Sequence, residues 1–305
     1  MRERVQAIMQ NWNVDSGDRK QIYDTAWQIG DKYVLKVYDN AQMLERNIKI
    51  ISILSDRNIP VGKLIYTNEN VSYAKDELYY YILTEKLAGS NIVNIGNTPE
   101  IGVKMGEIIA DLHVAFQECE KQEEFWDNSL LAEMKGWIRD TFYENGWKCI
   151  EERAFCDIAK QLDLVYNELP VQLIHRDVHF GNFLFAHNQF SGYIDFDLSQ
   201  RNIRIFDLCY FLLGLLSEKG KFDITSEEWF LMVKDVFAGY NHKITLLEAE
   251  RKAAPYVMES IELLFAAWFL GQNDMKCVGN AIEIYRFINS NIEKIDRLIS
   301  DGIGL

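Results

Sequence analysis

Short apolar runs dominate the first third of the chain, whereas apolar residues at helical spacing dominate the remainder. Two runs rich in β-branched and aromatic residues, Gln21–Ile29 and Lys32–Tyr38, are separated by a Gly-Asp pair that favours a tight turn, so they predict a β-hairpin. Helical spacing of apolar residues predicts an amphipathic helix over Ala41–Leu54. Val61–Thr67 and Leu78–Leu83 supply two further predicted strands.

The pattern changes after Gly89, where the predicted elements become long helices: Ile101–Cys119, Leu130–Asn145, Ala154–Glu168 and several more after Asp207. A segment of short strands and loops, Val171–Leu198, interrupts them. This order predicts an α+β fold with two lobes. Residues 1–87 would form a small N-terminal lobe with an antiparallel β-sheet and one helix, and residues 88–305 a larger, mainly helical C-terminal lobe. The lobes would meet near residues 84–89, and a ligand site is expected in the cleft between them.

The composition is that of an ordinary globular protein, with 48% hydrophobic and 26% charged residues. A formal net charge of -14 argues against a nucleic-acid partner and suits a cationic one, although many cytosolic proteins are acidic without a charged substrate. The apolar stretches Phe206–Leu216 and Ile261–Leu270 are too short to span a bilayer. Five cysteines without paired spacing predict reduced thiols. We expect a cytoplasmic monomer or weak dimer with no membrane or nucleic-acid partner.

The segment Val171–Leu198 contains the motif His175-x-Asp177-x-x-x-x-Asn182, followed by an Asp-Phe-Asp triplet that starts at Asp195. Phosphoryl transfer needs a carboxylate that orients and deprotonates the attacking hydroxyl, and oxygen ligands for magnesium at the phosphates. These residue types at this spacing supply that set. The alternative is that the Asp and Asn side chains only cap turns, but the second acidic motif at hairpin distance favours the catalytic interpretation.

These motifs resemble those of the aminoglycoside phosphotransferase/choline kinase family, whose members have a protein-kinase-like fold. The family's loop reads close to H-x-D-x-H-x-x-N, and His179 matches its second histidine. Asp-Phe-Asp is common in the family where protein kinases have Asp-Phe-Gly. The resemblance covers nearly the whole chain and includes two further motifs. The helix that matches the family's Leu-x-x-Leu-His pattern places His113 behind the loop, where it would orient backbone or carboxylate groups, and the downstream Asp207-Leu208 would brace the loop.

The resemblance implies a kinase that uses ATP or GTP together with Mg²⁺. It implies Asp177 as the catalytic base and Asn182 and Asp195 as the metal ligands. Three further positions correspond to the family's nucleotide contacts: Lys36, which would pair with the α and β phosphates, and the backbone of Glu85 and Leu87, which would bind the adenine. The apolar neighbours of Lys36 on its predicted strand disfavour the alternative of a solvated lysine.

The chain departs from the family pattern at two places. No G-x-G-x-x-G loop occurs, so Asp15–Lys20, with Arg19 or Lys20 as helpers, would be the phosphate flap. Asn47 occupies the position of the helix glutamate that pairs with the nucleotide lysine, and Glu45 lies two positions away on another helical face. The sequence leaves open which of the two is the partner of Lys36.

The acceptor is expected to be a small-molecule alcohol that is cationic and amine-bearing, and aminoglycosides fit best. The candidate contacts are acidic or aromatic side chains of the helical region and the last residue of the Asp-Phe-Asp triplet: Asp197, Glu259, Glu262 and Trp268. Each carboxylate could instead face water, and the indole could belong to the core. The alternatives are a metabolic kinase of the choline, homoserine or sugar type, and a protein kinase or nucleotide-binding pseudokinase of the same fold.

Overall fold

The computed structural model describes residues 1–15, 17–92, 100–217, 222 and 224–304. The chain forms two compact units. The first, called the sheet unit, contains Met1–Ile92, Lys121–Glu123 and Phe180–Asp197; the second, called the helical unit, contains Val93–Glu120, Glu124–His179 and Leu198–Leu305. The predicted catalytic loop, His175–Asn182, is called the catalytic loop below. The division differs from the predicted one at residues 87 and 88, because Phe180–Asp197, which includes the end of this loop, belongs to the sheet unit.

The sheet unit is built on a six-stranded antiparallel sheet. The strand order is β1-β2-β3-β6-β4, and β5 also pairs with β6. The bounds are Arg19–Tyr23 for β1, Ala26–Ile29 for β2, Tyr33–Tyr38 for β3, Leu64–Ile65 for β4, Ala74–Lys75 for β5 and Tyr80–Glu85 for β6. Val34, Lys36 and their strand neighbours pair with β6, so β3 has partners on both sides.

The predicted hairpin is present, but its first strand is wrong in length. Gly30 has a φ of 53°, which the turn between β2 and β3 requires and glycine adopts at little cost. Gln21–Ile29 is not one strand, because a turn at Asp24 and Thr25 divides it into β1 and β2, which pair with each other. The predicted strand Val61–Thr67 is reduced to the two residues of β4.

Two helices accompany the sheet, α1 (Arg2–Ile8) and α2 (Ala41–Asp56). The Asn40 side chain accepts a hydrogen bond from the backbone N–H of Met43 and so caps α2. The sequence predicts α2 but not α1. Apolar residues of α1 and of the turn that follows it are buried against the sheet in one core: Val5, Ile8, Met9, Trp12, Trp27, Ile29, Leu35, Val37, Ala74, Tyr81 and Leu83.

A separate hairpin of the sheet unit, β8 (Phe183–Ala186) with β9 (Gln189–Tyr193), follows a single 3₁₀ turn over Phe180–Asn182. Its aromatic side chains pack edge to face, with Phe183 and Phe190 centred 5.7 Å and 4.5 Å from the Tyr193 ring. The N–H of Tyr193 donates to the Pro60 carbonyl at 2.9 Å. These contacts fix the end of β9, from which the Asp-Phe-Asp triplet begins.

The helical unit contains nine α-helices in its described part. Their bounds are Ile101–Glu120 (α3), Leu130–Glu133 (α4), Arg139–Glu144 (α5), Glu152–Tyr166 (α6), Ile205–Ser217 (α7), Ser226–Lys243 (α8), Glu248–Gly271 (α9), Met275–Asn289 (α10) and Ile292–Ile303 (α11). Two short strands, β7 (Val171–Ile174) and β10 (Gln200–Ile203), pair antiparallel and hold the start of the catalytic loop.

Helices α3 and α8 approach each other backbone to backbone. A Cβ added at Gly106 would collide with the Val236 carbonyl, and one added at Gly239 would collide with the Val103 carbonyl. Only glycine fits at either position. This close approach fixes α3, which bears His113 near its C-terminal end.

The predicted helix Leu130–Asn145 is interrupted. Gly136 has φ of -105° and ψ of -116°, values outside the helical region, and a wide turn over Met134–Ile138 joins α4 to α5. Glycine tolerates this conformation, so the break is local. It leaves α4 as a single turn, whose Glu133 contacts the catalytic loop as described below.

One helix among the described residues, α9, is long and apolar enough to span a membrane by length and composition. Of its most apolar window, 72% is buried inside the protein. Its buried residues include Leu263, Ala266 and Leu270, which pack in the largely apolar core formed with α10. This burial is that of a core helix, as predicted for Ile261–Leu270.

Candidate active site

The carboxylate of Asp177 lies on the loop after β7 and is held on both oxygens. The Tyr210 hydroxyl donates to Oδ1 at 2.7 Å, and His179 Nε2 lies 3.5 Å from Oδ2. Burial alone would raise the pKa of Asp177, but the contacts with His179 and Tyr210 outweigh it and hold that pKa below its usual range. Burial and the Asp177 charge raise the pKa of Tyr210, so its hydroxyl keeps the proton that it donates.

Asp207, at the start of α7, holds the backbone of the catalytic loop. Its Oδ2 accepts from the N–H of His175 and its Oδ1 from the N–H of Arg176, each at 2.8 Å. Arg176 has a φ of 67°, a left-handed conformation that is costly for a side chain of this size. The two charge-assisted hydrogen bonds offset that cost and set the direction in which Asp177 leaves the loop. This is the bracing role that the family resemblance implies for Asp207.

His113 links this carboxylate to the core. Its Nε2 lies 3.0 Å from Asp207 Oδ2 and its Nδ1 lies 2.9 Å from the Tyr240 hydroxyl. An ionised carboxylate only accepts, so Nε2 bears the hydrogen and Nδ1 accepts from Tyr240. Burial raises the pKa of Tyr240, which keeps its hydroxyl a donor. His113 is buried and orients Asp207, the positioning role expected from the sequence.

Two further residues of this site, Glu133 and Tyr210, were not predicted from the sequence. Glu133 on α4 receives both of its hydrogen bonds from Arg176 Nη2, at 2.9 Å and 3.0 Å, and anchors the loop from a second side. Tyr210 holds Asp177 as described above. A sequence signal exists only for Tyr210, which lies three residues after Asp207 and therefore on the same face of α7.

In the sheet unit, Lys36 on β3 lies between two carboxylates of the Asp-Phe-Asp triplet. Its Nζ is 2.8 Å from Asp195 Oδ1 and 2.7 Å from Asp197 Oδ2. Only 16% of the lysine side chain is exposed. Burial acts to lower the pKa of Lys36, but the charges of Asp197 and Asp195 outweigh it, and the pKa is raised. The ammonium is therefore charged and fixed, unlike that of a solvated surface lysine.

The structure brings Asn47, and not Glu45, to this cluster. Asn47 Nδ2 donates to Asp197 Oδ1 at 2.9 Å, and the neighbouring Arg46 donates to the Asp197 backbone carbonyl. Asn47 is 1% exposed, whereas Glu45 faces solvent. Neither of these two described residues forms a hydrogen bond or ion pair with Lys36, which is bound by Asp195 and Asp197. Burial raises the pKa of Asp197, and the Lys36 charge works against that rise.

The two predicted metal ligands, Asn182 and Asp195, lie on adjacent backbone segments, because the N–H of Ile194 donates to the Asn182 carbonyl at 3.1 Å. Asp195 has a φ of 65°, and 43% of its side chain is exposed. Amide and carboxylate oxygens are the donors that Mg²⁺ prefers, and Mg²⁺ commonly takes one or two carboxylates while water and phosphate complete its shell. The donors fit Mg²⁺ in this partial way; within the described residues no group of three or more His, Cys, Asp and Glu side chains could hold a metal ion by itself.

The predicted adenine-binding segment follows the end of β6. The N–H of Glu85 donates to the Lys63 carbonyl at 2.8 Å and that of Lys86 to the Lys32 carbonyl at 2.7 Å, so this backbone is fixed. The Leu87 side chain packs closely against Gly192 on β9. In the predicted phosphate flap, Ser16 lies outside the described residues, and Arg19 and Lys20 belong to β1.

A cavity of about 340 Å³ opens within the helical unit beside Asp177. Its lining is largely apolar and aromatic: Asp177, His179, Tyr210, Leu213, Gly214, Ser217, Glu262, Phe265, Phe269, Cys277, Asn280 and Ala281. Glu262, a predicted acceptor contact, is therefore part of this wall.

The other predicted acceptor contacts do not line this cavity. Glu259 is fully buried one helical turn before Glu262 and accepts a hydrogen bond from Asn289 Nδ2 at 2.7 Å. Trp268 is 51% exposed, and its ring contacts the Phe269 ring edge to face. Asp197 belongs to the sheet unit, where it binds Lys36.

Comparisons with known proteins agree on one family. The family model described as phosphotransferase enzyme family matches residues 16–256, more than half of the chain. A homoserine kinase of Phenylobacterium zucineum (strain HLK1) is 33% identical over 110 residues, which are 36% of this chain and 32% of that protein, so the chain spans about a third of this curated relative.

Solved structures with the same fold cover nearly the whole chain. An amicoumacin kinase in complex with AMP-PNP, Ca²⁺ and Ami matches with a TM-score of 0.71 at 14% identity, over 93% of both chains. A microcompartment-associated aminopropanol kinase matches with a TM-score of 0.69 at 16% identity, over 97% of this chain and 99% of its own. The predicted α+β, protein-kinase-like fold is confirmed. The chain belongs to the phosphotransferase enzyme family, as its motifs predicted, and small-molecule kinase is the enzyme class that goes with this membership.

Proposed function

We propose that the protein is a cytoplasmic, ATP-dependent kinase that transfers the γ-phosphate to a hydroxyl of a small, amine-bearing molecule. The observation that supports this most directly is the ionised Asp177 carboxylate, which lines a cavity of ligand size while Tyr210 and the loop backbone hold it in place. A carboxylate fixed in this way can accept the hydrogen of an acceptor hydroxyl.

In the proposed reaction the acceptor oxygen forms a bond to the γ-phosphorus, and the bond from that phosphorus to the bridging oxygen breaks to release ADP. The hydroxyl proton passes to Asp177. Because the pKa of Asp177 is low, the carboxylate is a weak base, and its proton uptake is expected only after the new bond has begun to form and the hydroxyl has become acidic. Before that, Asp177 orients the hydroxyl.

The nucleotide contacts are proposed for residues of the sheet unit. Lys36 would contact the α and β phosphates, and the carboxylates beside it keep its ammonium charged and aimed before the nucleotide binds. Asn182 and Asp195 would hold Mg²⁺, which when bound shields the charge on the phosphate oxygens. The backbone of Glu85 and Leu87 would receive the purine, which leaves ATP and GTP as alternatives for direct comparison.

The test is a coupled assay of nucleoside diphosphate release with a panel of acceptor alcohols, measured as ADP from ATP and as GDP from GTP. Asp177→Asn should lower turnover about 10²- to 10⁴-fold, the usual contribution of a general base. Asp163→Asn is the matched control, because Asp163 is a half-exposed carboxylate of the helical unit paired with Lys135. It should behave like the wild type.

Near-normal turnover by Asp177→Asn would contradict the base assignment. Binding of ATP by the protein without phosphorylation of any alcohol would favour the pseudokinase hypothesis. Phosphorylation of a protein substrate in preference to every small alcohol would favour the protein-kinase alternative.

A further inference from the structure

Glu262 is a buried carboxylate that faces the cavity beside Asp177. It is 3% exposed and forms no hydrogen bond or ion pair with any residue in the described part of the chain. Burial raises its pKa well above the usual range, and no partner opposes the rise. A buried carboxylate without a partner costs stability, so its presence in a ligand-sized cavity indicates that a ligand supplies the partner.

The surroundings of Glu262 define what that ligand can be. Phe265 and Phe269 follow at helical spacing on α9 and their rings stack with centroids 6.2 Å apart. The Phe265 ring lies 5.9 Å from the Tyr210 ring, and the Tyr210 hydroxyl binds Asp177. A continuous aromatic wall therefore connects the unpaired carboxylate to the catalytic one.

The described residues of the cavity wall can neutralise one positive charge. Two of these described residues are carboxylates, and one of them, Asp177, is already held by Tyr210 and His179. An ammonium beside Glu262 would gain an ion pair and contact with aromatic rings, which attract cations. A second or third ammonium on the same ligand would be buried without a partner, at high cost.

We propose that the acceptor is a compact monoammonium alcohol with an apolar portion, whose ammonium pairs with Glu262, whose apolar portion packs against Phe265 and Phe269, and whose hydroxyl faces Asp177. The inference rests on the proposed function and narrows it, because it disfavours the polycationic aminoglycosides that the sequence favoured. The cavity volume of about 340 Å³ agrees, since ligand pockets run from roughly 300 to 1,000 Å³.

The experiment measures binding by calorimetry and transfer by ADP release for three probes. Aminopentanol represents the proposed class, hexanol replaces its ammonium by a methyl group, and an aminoglycoside supplies several ammonium groups. Wild-type protein should bind and phosphorylate aminopentanol in preference to both others. Glu262→Gln should weaken aminopentanol binding and raise its KM by about 30-fold or more, the loss expected when one partner of a buried charge pair is removed.

Glu259→Gln is the matched control. It neutralises another fully buried carboxylate one turn away on α9, but one that hydrogen-bonds to Asn289 and does not line the cavity. Its KM for aminopentanol should equal that of the wild type. Glu262→Gln alone should also lose the preference for aminopentanol over hexanol, a change that a structural role would not produce.

The results separate the inference from the proposed function. Aminopentanol that binds through Glu262 without being phosphorylated would support the monoammonium site and refute the kinase reaction. Phosphate transfer that is equally fast in Glu262→Gln, or tighter wild-type binding of the aminoglycoside or of hexanol, would overturn the inference and leave the kinase intact. Absence of any aminopentanol binding would also overturn it.

Discussion

Asp207→Asn tests the scaffold of the catalytic loop most directly. In the wild type, the two carboxylate oxygens accept separate backbone N–H groups, those of His175 and Arg176. An asparagine side chain has one oxygen and one NH₂ group, so one of these N–H groups would face another donor. His113 also donates a hydrogen bond to this side chain, so it cannot serve as the acceptor for the unpaired N–H group.

The magnitude follows from these contacts. Losing one charge-assisted hydrogen bond costs about 1.5–3 kcal/mol, and leaving the buried N–H without an acceptor costs about 1–3 kcal/mol more. The free energy of unfolding should therefore fall by about 2.5–6 kcal/mol. At about 2 °C per kcal/mol for a chain of this size, the melting temperature should fall by about 5 °C or more.

Activity should fall further than stability in Asp207→Asn, because Arg176 would no longer be held at its positive φ and Asp177 would lose its orientation. The measurements are thermal melting and kcat at a temperature where the variant is folded. Tyr240→Phe is the control, since it removes only the outer hydrogen bond to His113, worth about 1 kcal/mol. A melting temperature and kcat for Asp207→Asn equal to those of Tyr240→Phe would refute the reasoning.

Four further predictions concern charged residues of both units. Lys36→Met should lower kcat/KM for ATP about 10²-fold or more, and it should also cost stability because Asp195 and Asp197 lose the charge between them. Wild-type kinetics would show that the ammonium does not act on phosphates. Asp195→Ala should abolish metal-dependent turnover while nucleotide-free melting changes little; near-normal turnover would refute the metal assignment. Burial raises the pKa of Glu259 from 4.5 to about 7, so the folded state holds this proton more tightly than the unfolded state. The free energy of unfolding therefore falls as pH rises from 4.5 to 7. Across that window Glu259→Gln should gain on the order of 3 kcal/mol in free energy of unfolding relative to wild type. Glu262→Gln should also gain stability above pH 4.5, because burial raises that pKa too, and equal melting of variant and wild type from pH 4.5 to 8 would contradict both assignments.

Local chemistry made several elements predictable. The turn at Gly30 needs a positive φ, which a Gly-Asp pair favours. The following strand, Tyr33–Tyr38, is rich in β-branched and aromatic residues. Helix α2 has an Asn cap and an apolar face, so its start and extent follow from the sequence. The spacing from Asp177 to Asp195 reflects a loop and a hairpin, which short-range signals specify well.

Long-range contacts were not predictable in the same way. Nothing in the composition around Gly136 distinguishes a helix break from a tolerated helical glycine. The separation of Glu259 from Glu262 depends on how α9 is rotated against α10, where Asn289 meets one carboxylate and the cavity the other. A pattern of two acidic residues three apart places both on adjacent faces and cannot decide which one faces a ligand.

The sequence left open whether Glu45 or Asn47 is the partner of Lys36, and the contacts of Asp197 explain why neither is needed for that role. Asp197 approaches the ammonium at 2.7 Å, so the charge that a helix glutamate would supply comes from the triplet instead. A glutamate at position 47 would then meet the Asp197 carboxylate at hydrogen-bond distance, and like charges that close are strongly unfavourable. An amide avoids this repulsion and donates a hydrogen bond to Asp197 Oδ1. This bond holds the Asp197 carboxylate in place, and the carboxylate in turn holds Lys36. The family's helix glutamate is therefore replaced by Asn47 without loss of a partner for Lys36. Asn47 supplies the neutral hydrogen-bond donor that the Asp197 carboxylate requires.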